Sequence, residues 1–217
     1  MKILMSLALV LSFCSFGSCE DAKSEDGPKI TKVDKTSIEI PSKFNWYGSP
    51  KQIFLKNYPK KVILLHFWTV ENADCELSIA HYIKWKRDYE SSGLVIIGVH
   101  VPPIELLSND EFFRSQSPEV QAQMRLEAKS FDKRAFDRAK QLEYDYPTIF
   151  SNDDSYLRAV MGKTDSSKPN SNVFTPSFAL IDRKGKLRYT VEGILATKRH
   201  DYSKPSVQKI EELLKEK

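Results

Sequence analysis

Two continuous apolar runs on either side of one helical segment constrain the fold of this chain most strongly. The first run extends from Val62 to Trp68, and the second extends from Leu94 to His100. Neither run alternates with polar residues, which is typical of strands buried on both faces of a parallel sheet. Because parallel neighbours need a long crossover connection, the pattern predicts a strand–helix–strand unit and an α/β fold with a mixed sheet flanked by helices.

The first nineteen residues differ in composition from the rest and predict an export signal. Lys2 supplies a positive start, and the apolar run that follows, residues 3–16, is too short to span a bilayer. The tetrapeptide Phe16-Gly17-Ser18-Cys19 resembles a bacterial lipobox, with Phe16 where leucine is usual. We expect Cys19 to carry lipid and to hold the protein at a membrane of the bacterial cell envelope, facing the periplasm or the outer surface. Simple cleavage near Ser18, which would release a soluble protein, is the alternative.

Cysteine usage leaves one thiol in the folded part. Of the three cysteines, Cys14 lies inside the signal and Cys19 is expected to be acylated, so Cys75 remains. An exported protein with one remaining cysteine has no internal disulfide. Residues 20–36 are polar and charged, and they predict a flexible tether.

The rest of the chain, residues 37–217, predicts one domain. Short extended stretches within residues 37–55 predict an N-terminal hairpin, and residues 105–142 predict a long helical insertion. A second hairpin is expected around the turn at residues 182–185, because Gly185 suits a left-handed turn position. An amphipathic helix is expected over residues 205–217.

Three segments of this chain resemble one protein family. "KKVILLHFWTVENADC" is similar to the strand and active-site turn of extracytoplasmic thioredoxin-like proteins of the TlpA and AhpC/TSA (redoxin) group. "GLVIIGVHVP" is similar to their second core strand, particularly in the thioredoxin domain that accompanies NHL repeats. "TPSFALIDRKGKLRYTVEG" is similar to their hairpin. The resemblance implies a thioredoxin-like fold.

The same resemblance assigns the site residues and reveals a departure from the family pattern. The first cysteine of the family's Cys-x-x-Cys pair matches Asn72, and the second matches Cys75. The proline that opens the hairpin is Pro176, which implies a cis peptide bond after Thr175. A groove lined by Trp68, Thr175 and Pro176 is the expected peptide-binding surface.

The surroundings of Cys75 predict a protonated thiol. Helical spacing places Cys75 on the same apolar stripe as Ile79, and burial there raises a thiol pKa. The first turn also carries three carboxylates, at Glu71, Asp74 and Glu76. No Lys or Arg within residues 62–83 offsets them, so a poorly reactive thiol is expected.

Two functions of different classes remain open. Dithiol exchange needs an exposed thiolate and a second, resolving thiol, and Asn72 cannot supply either. The first hypothesis is therefore a redox-inactive module that binds extended peptide or an envelope protein, with Cys75 a small core residue. The alternative is a monothiol redox enzyme, of the peroxidase or mixed-disulfide type, that uses Cys75.

Several other classes receive no support from the sequence. The net charge of +4 is small and spread out, without the basic stripe of a nucleic-acid-binding protein. The four histidines show no metal-ligand spacing, and no cofactor motif is present. We therefore predict neither a nucleic-acid partner nor a metal or other cofactor.

Overall fold

The computed structural model describes residues 27–42, 44–47, 52–70, 72–102, 114–151, 154–163, 175–193, 195 and 201–216. The predicted signal, Cys19, Glu71 and residues 105–113 of the predicted insertion lie outside these residues. Among the described residues, no helix has both the length and the apolar character needed to cross a membrane.

Seven strands of the described chain form one mixed sheet. They are β1 (Lys29–Thr36), β2 (Asn45–Tyr47), β3 (Val62–Trp68), β4 (Leu94–His100), β5 (Thr148–Phe150), β6 (Ser177–Ile181) and β7 (Lys186–Glu192). Their order across the sheet is β1-β7-β6-β3-β4-β5-β2. The central strand β3 pairs in parallel with β4 and antiparallel with β6. Both predicted core strands therefore have the bounds expected from their apolar runs.

Helices cover both faces of this sheet. They are α1 (Ala73–Tyr89), α2 (Pro118–Gln141), α3 (Ser155–Met161) and α4 (Lys204–Lys215), with a short 3-10 helix at Leu55–Asn57. Alternate residues of β3 point to opposite faces, so Leu64 packs with α1 and α4, whereas Leu65 packs with α3. The result is a three-layer α/β/α arrangement with a core on each side of the sheet.

The N-terminal region differs from its prediction. The flexible tether expected over residues 20–36 is wrong for its last eight residues, because Lys29–Thr36 forms the edge strand β1. Half-buried Ile30 and Val33 pack against the two cores, and the backbone pairs with β7. Strand β1 is antiparallel to β7, with Lys29 opposite Glu192 and Thr36 opposite Lys186.

The predicted N-terminal hairpin is also wrong for the described residues. Of residues 37–55, the described part contains one strand, β2, and it pairs with β5 instead of with a neighbouring strand of the same segment. The described part of the predicted insertion is helical as expected. Helix α2 begins at Pro118, and the Ser117 side chain caps it by accepting the amide hydrogen of Val120.

Candidate thiol site

The candidate site lies where β3 ends and α1 begins. Asn72 is the N-cap of α1, and its Oδ1 accepts the amide hydrogen of Cys75 at 2.9 Å. This bond satisfies one of the amide groups that a helix N-terminus otherwise leaves without a partner. Asn72 therefore has a structural task at the start of α1.

The Cys75 side chain is fully buried in the core on the α1 face of the sheet. Burial raises the pKa of its thiol to about 12, and the nearby carboxylates of Asp74 and Glu76 add to the rise. Hydrogen bonds from the Thr69 backbone and the Thr175 side chain oppose this shift but are smaller. The raised pKa agrees with the prediction of a protonated thiol, and its poor reactivity stays a prediction.

Helix α2 supplies a cation that the local sequence does not contain. Arg138 donates from Nε to Glu76 Oε1 at 2.9 Å and from Nη2 to Glu76 Oε2 at 2.7 Å. The pairing raises the pKa of the Arg138 guanidinium and joins α2 to the first turn of α1. The absence of Lys and Arg from residues 62–83 therefore does not leave Glu76 without a cation, because its partner is 62 residues away in the chain.

The loop before β6 brings two predicted residues to the thiol. The peptide bond between Thr175 and Pro176 is cis. Thr175 is half-buried and hydrogen-bonds with Cys75, whereas Pro176 is buried. The Pro176 carbonyl accepts the amide hydrogen of Gly193 at 3.2 Å. Asn72, Cys75, Thr175 and Pro176 therefore form one local constellation.

Trp68 does not belong to this surface. Its side chain is 1% exposed, with its ring centroid 5.2 Å from that of Tyr144 and 5.0 Å from that of His100. Assigning Trp68 to a binding groove was wrong, because Tyr144 comes from the chain after α2 and packs against it. Among the predicted groove residues, Thr175 is the one that remains partly exposed.

A cluster of buried aromatic and histidine side chains surrounds the thiol, and the sequence analysis did not assign it a role. His66 stacks on Tyr82 with ring centroids 3.8 Å apart, and its Nδ1 is 3.5 Å from the Tyr146 hydroxyl. Burial lowers the pKa of both His66 and His100 to about 3, so both imidazoles are neutral. The sequence contained one indication of this cluster. Leu64, His66 and Trp68 alternate along β3 and therefore lie on the same face of the sheet.

The same burial acts on the tyrosines of this cluster. It raises the pKa of Tyr82, Tyr144 and Tyr146 well above the usual range, so all three hydroxyls are neutral. Within the described ranges, no three His, Cys, Asp or Glu side chains converge as a metal site would require. The buried side chains around Cys75 are therefore neutral, and Asn72 and Thr175 form the partly exposed rim of the site.

Comparison with curated proteins gives a partial match. No protein-family model matches the chain. A stretch of 94 residues is 32% identical to Protein DipZ from Mycobacterium bovis and, equally, to Protein DipZ from Mycobacterium tuberculosis. The match covers 42% of this chain and 12% of the mycobacterial proteins. This chain therefore corresponds to a small part of those relatives.

Solved structures match over most of the chain. A protein from Chlorobium tepidum assigned as thiol:disulfide interchange protein DsbE has a TM-score of 0.55 and 17% identity, covering 86% of this chain and 99% of that one. A thioredoxin-like protein in the oxidized form has a TM-score of 0.53 and 15% identity, covering 85% and 97%. A thiol-disulfide isomerase from Corynebacterium glutamicum has a TM-score of 0.50 and 14% identity, covering 86% and 97%. The chain therefore has a thioredoxin-like fold, which confirms the predicted fold class.

Proposed function

We propose that this chain is an exported, lipid-anchored thioredoxin-like protein of the TlpA and redoxin type that binds extended peptide or an envelope protein without dithiol turnover. The thioredoxin-like fold supports the general class, and the partial match to DipZ is consistent with it. The altered Asn-x-x-Cys site supports the loss of turnover. Membrane attachment rests on the sequence around Cys19.

The observation that carries this proposal is the hydrogen bond from the Cys75 amide to Asn72 Oδ1. In thiol-disulfide exchange, a thiolate attacks a disulfide sulfur and forms a mixed disulfide, which a second thiol must then release. Asn72 cannot attack, and Cys75 is the one cysteine among the described residues. A mixed disulfide on Cys75 would therefore persist until an external thiol arrived.

The rim of the site offers a place for an extended chain. Asn72 and Thr175 are both half-buried, and both hydrogen-bond with Cys75. In the family that this chain resembles, the backbone before the cis-proline pairs with a bound chain. Such pairing is a form of strand addition, in which main-chain hydrogen bonds give affinity. We assign the Thr175 backbone this role.

A gain-of-function variant tests the altered motif. We expect the unmodified protein to show no insulin-disulfide reductase activity, and Asn72→Cys to gain it by restoring the pair of thiols. Ser37→Cys is the matched control, because it adds a thiol at the opposite end of the sheet, next to Gly185. Reductase activity in the unmodified protein would contradict the proposal.

Peptide binding is tested by crosslinking in cells. A photoreactive amino acid at Ala73, an exposed position beside Asn72, should capture partners in both the otherwise unmodified protein and Cys75→Ser. Thr175→Arg should reduce this capture by blocking the rim. Capture that depends on Cys75 but not on Thr175 would contradict a thiol-independent binding role.

Attachment to the membrane has a direct chemical test. Mass spectrometry of the membrane fraction should find an acylated peptide that begins at Cys19. Each buried methylene of an acyl chain adds about 0.8 kcal/mol to membrane binding, so several chains anchor stably. A soluble product that begins elsewhere would contradict the anchor.

A second candidate is a monothiol redox enzyme that uses Cys75. It is favoured by the hydrogen bonds that the thiol makes with the Thr69 backbone and the Thr175 side chain, since both lower its pKa. The larger effect of burial opposes it. Peroxide consumption that is fast in the unmodified protein and abolished in Cys75→Ser would support this candidate against the binding module.

A further inference from the structure

Two adjoining clefts lie at the end of the sheet opposite Cys75. One encloses about 430 Å³ and the other about 570 Å³, within the usual size range of ligand sites. Both are lined by Lys60, Arg183 and Lys184, which form a ridge between them. We call the two together the double cleft. It lies where β3 begins and where β6 turns into β7.

Arg183 stabilises the ridge, because its guanidinium binds backbone carbonyls and is not available to a ligand. Its guanidinium donates to the carbonyl oxygens of Lys60 at 2.8 Å, Ser92 at 3.1 Å and Leu214 at 3.0 Å. These carbonyls belong to the turn before β3, the turn before β4 and the last turn of α4. One side chain therefore fixes three separate segments around the double cleft.

Lys60 has an unusual backbone at the centre of this arrangement. Its φ of 62° lies in the left-handed region, which a residue with a Cβ rarely adopts. The Arg183 bond to its carbonyl stabilises this conformation. Strained residues of this kind cluster at binding and switch sites, because the surrounding structure must maintain them.

The lysines of the double cleft have no acidic partners. Five lysines line it with exposed side chains, at positions Lys56, Lys60, Lys61, Lys184 and Lys215. Across the part of the chain that the structure describes, none of the five forms an ion pair. By contrast, lysines elsewhere pair with carboxylates, as Lys86 does with Asp145 and Lys163 does with Glu192.

The carboxylates in the double cleft are already engaged. Glu39 accepts amide hydrogens from Ile40, Leu55 and Lys56. Asp182 and Glu216 both bind the Arg188 guanidinium. Amide hydrogen bonds leave the charge of Glu39 in place, and Arg188 offsets one of the other two carboxylates, so the five lysines still exceed the remaining negative charge around the double cleft, although the net charge of the whole chain is small.

We propose that the double cleft binds an acidic segment of a polypeptide. An extended chain that crosses the ridge occupies both clefts. Its carboxylates then bind the lysines on either side of the ridge. A bilayer surface fits this shape less well, because a flat surface meets the lysine tips and not the cleft floor near Ile63 and Ile181. Electrostatic complementarity of this kind sets partner choice and association rate. The site is separate from Cys75 and does not depend on the proposed thiol-site function.

Fluorescence anisotropy with a labelled oligoglutamate peptide tests the proposal on the folded protein. The peptide should bind at low ionic strength and bind more weakly as salt screens the lysines. A triple variant, Lys60→Gln with Lys61→Gln and Lys184→Gln, should weaken binding about tenfold or more. The matched control is Lys32→Gln with Lys133→Gln and Lys140→Gln, which removes the same charge from exposed positions elsewhere. Equal weakening in both variants would overturn the proposal.

Two further measurements locate the ligand and distinguish its source. In an amide NMR titration, the peptide should shift resonances of residues 56–61 and 182–186 and leave those of α2 unchanged. Shifts confined to other regions would overturn the proposal. Sedimentation with vesicles that contain phosphatidylglycerol supplies the membrane comparison. Binding to these vesicles without binding to the peptide would overturn the acidic-peptide assignment in favour of a lipid surface.

Discussion

At the carboxyl end of β3 the ionisable side chains near the sheet are buried and neutral, whereas at its amino end they are exposed and charged. The first group comprises Cys75, His66, His100, Tyr82, Tyr144 and Tyr146. The second comprises the lysines of the double cleft. Two charged residues at this end have partners, since Glu76 binds Arg138 and Glu192 binds Lys163.

This difference follows from what covers each end. Helix α2 and the chain that follows it bring Tyr144 and Tyr146 over the thiol end, so the groups beneath lose contact with water. No described helix covers the lysines in the same way. Arg183 instead connects the three segments that carry or adjoin these lysines. Desolvation therefore keeps the groups at the thiol end neutral, whereas the lysines at the other end remain exposed to water.

The largest expected effect concerns acid sensitivity at the thiol end. Burial lowers the pKa of His66 and His100 to about 3 in the folded protein, against 6.5 for the ordinary side chain. Protons therefore bind the unfolded chain more readily, and stability is lost as pH falls from about 6.5 towards about 3. At pH of about 4, each histidine should lower the free energy of unfolding by about 3 kcal/mol.

Urea unfolding across this pH range measures the effect. His66→Asn combined with His100→Asn should flatten the decline relative to the unmodified protein. An equal decline in both proteins would assign acid sensitivity to other groups.

The next effect concerns thiol reactivity. The pKa of Cys75 is about 12 in the folded protein against an ordinary 9.0, which lowers its thiolate fraction about a thousandfold near neutral pH. Alkylation should therefore be slow in the native state and fast in urea, with Cys75→Ser as the unlabelled control. If native Cys75 were alkylated at a rate within about tenfold of the rate in urea, burial would not suppress its reactivity. The contrast between the buried end and the exposed end would then be lost.

A smaller effect is expected from the residue that organises the lysine end. Arg183→Gln breaks its charged hydrogen bonds to three carbonyls and should lower the free energy of unfolding by about 2 kcal/mol. Lys184→Gln, next in the chain and exposed, should change it by less than about 0.5 kcal/mol. Urea unfolding of both variants makes the comparison, and equal effects would show that Arg183 is not the organising residue.

The smallest effect is expected at the helix cap beside the thiol. Asn72→Ala removes the acceptor for the Cys75 amide and should cost about 1 kcal/mol of stability. Ser117→Ala at the cap of α2 is the matched comparison, and its longer, exposed bond of 3.4 Å should contribute less. Thermal unfolding distinguishes the two. A larger loss at Ser117 would show that the Asn72 cap is not the stronger of the two.

Local signals in the sequence predicted much of the fold. The apolar runs determined β3 and β4, because strands buried on both faces have no polar alternation. Asn72 caps α1 through a local bond to its own first turn, and asparagine is a residue type that favours this position. The cis bond before Pro176 lies where the resemblance to the family placed it.

Contacts between distant segments account for the failures. Strand β1 has few apolar residues, and its strand conformation depends on pairing with β7 far along the chain. Trp68 was assigned to the surface because the residue that covers it, Tyr144, lies beyond α2. Arg138 was overlooked as the partner of Glu76 for the same reason.

The double cleft gave no sequence signal at all. Its lysines come from three separate parts of the chain, around residues 56–61, at Lys184 and at Lys215. None of these forms a basic run of unusual length. Their proximity is a consequence of the turns that Arg183 connects.

The direction of β1 determines how an upstream anchor would orient the molecule. Lys29 pairs with Glu192 at the thiol end, and Thr36 lies at the double-cleft end. A lipid on Cys19, as proposed, would be ten residues from Lys29, and an extended chain of that length reaches at most about 35 Å. The thiol site would then work within a few nanometres of the bilayer, on partners at or in the membrane. The double cleft would lie at the opposite end of β1 from the anchor, farther along the chain from the membrane.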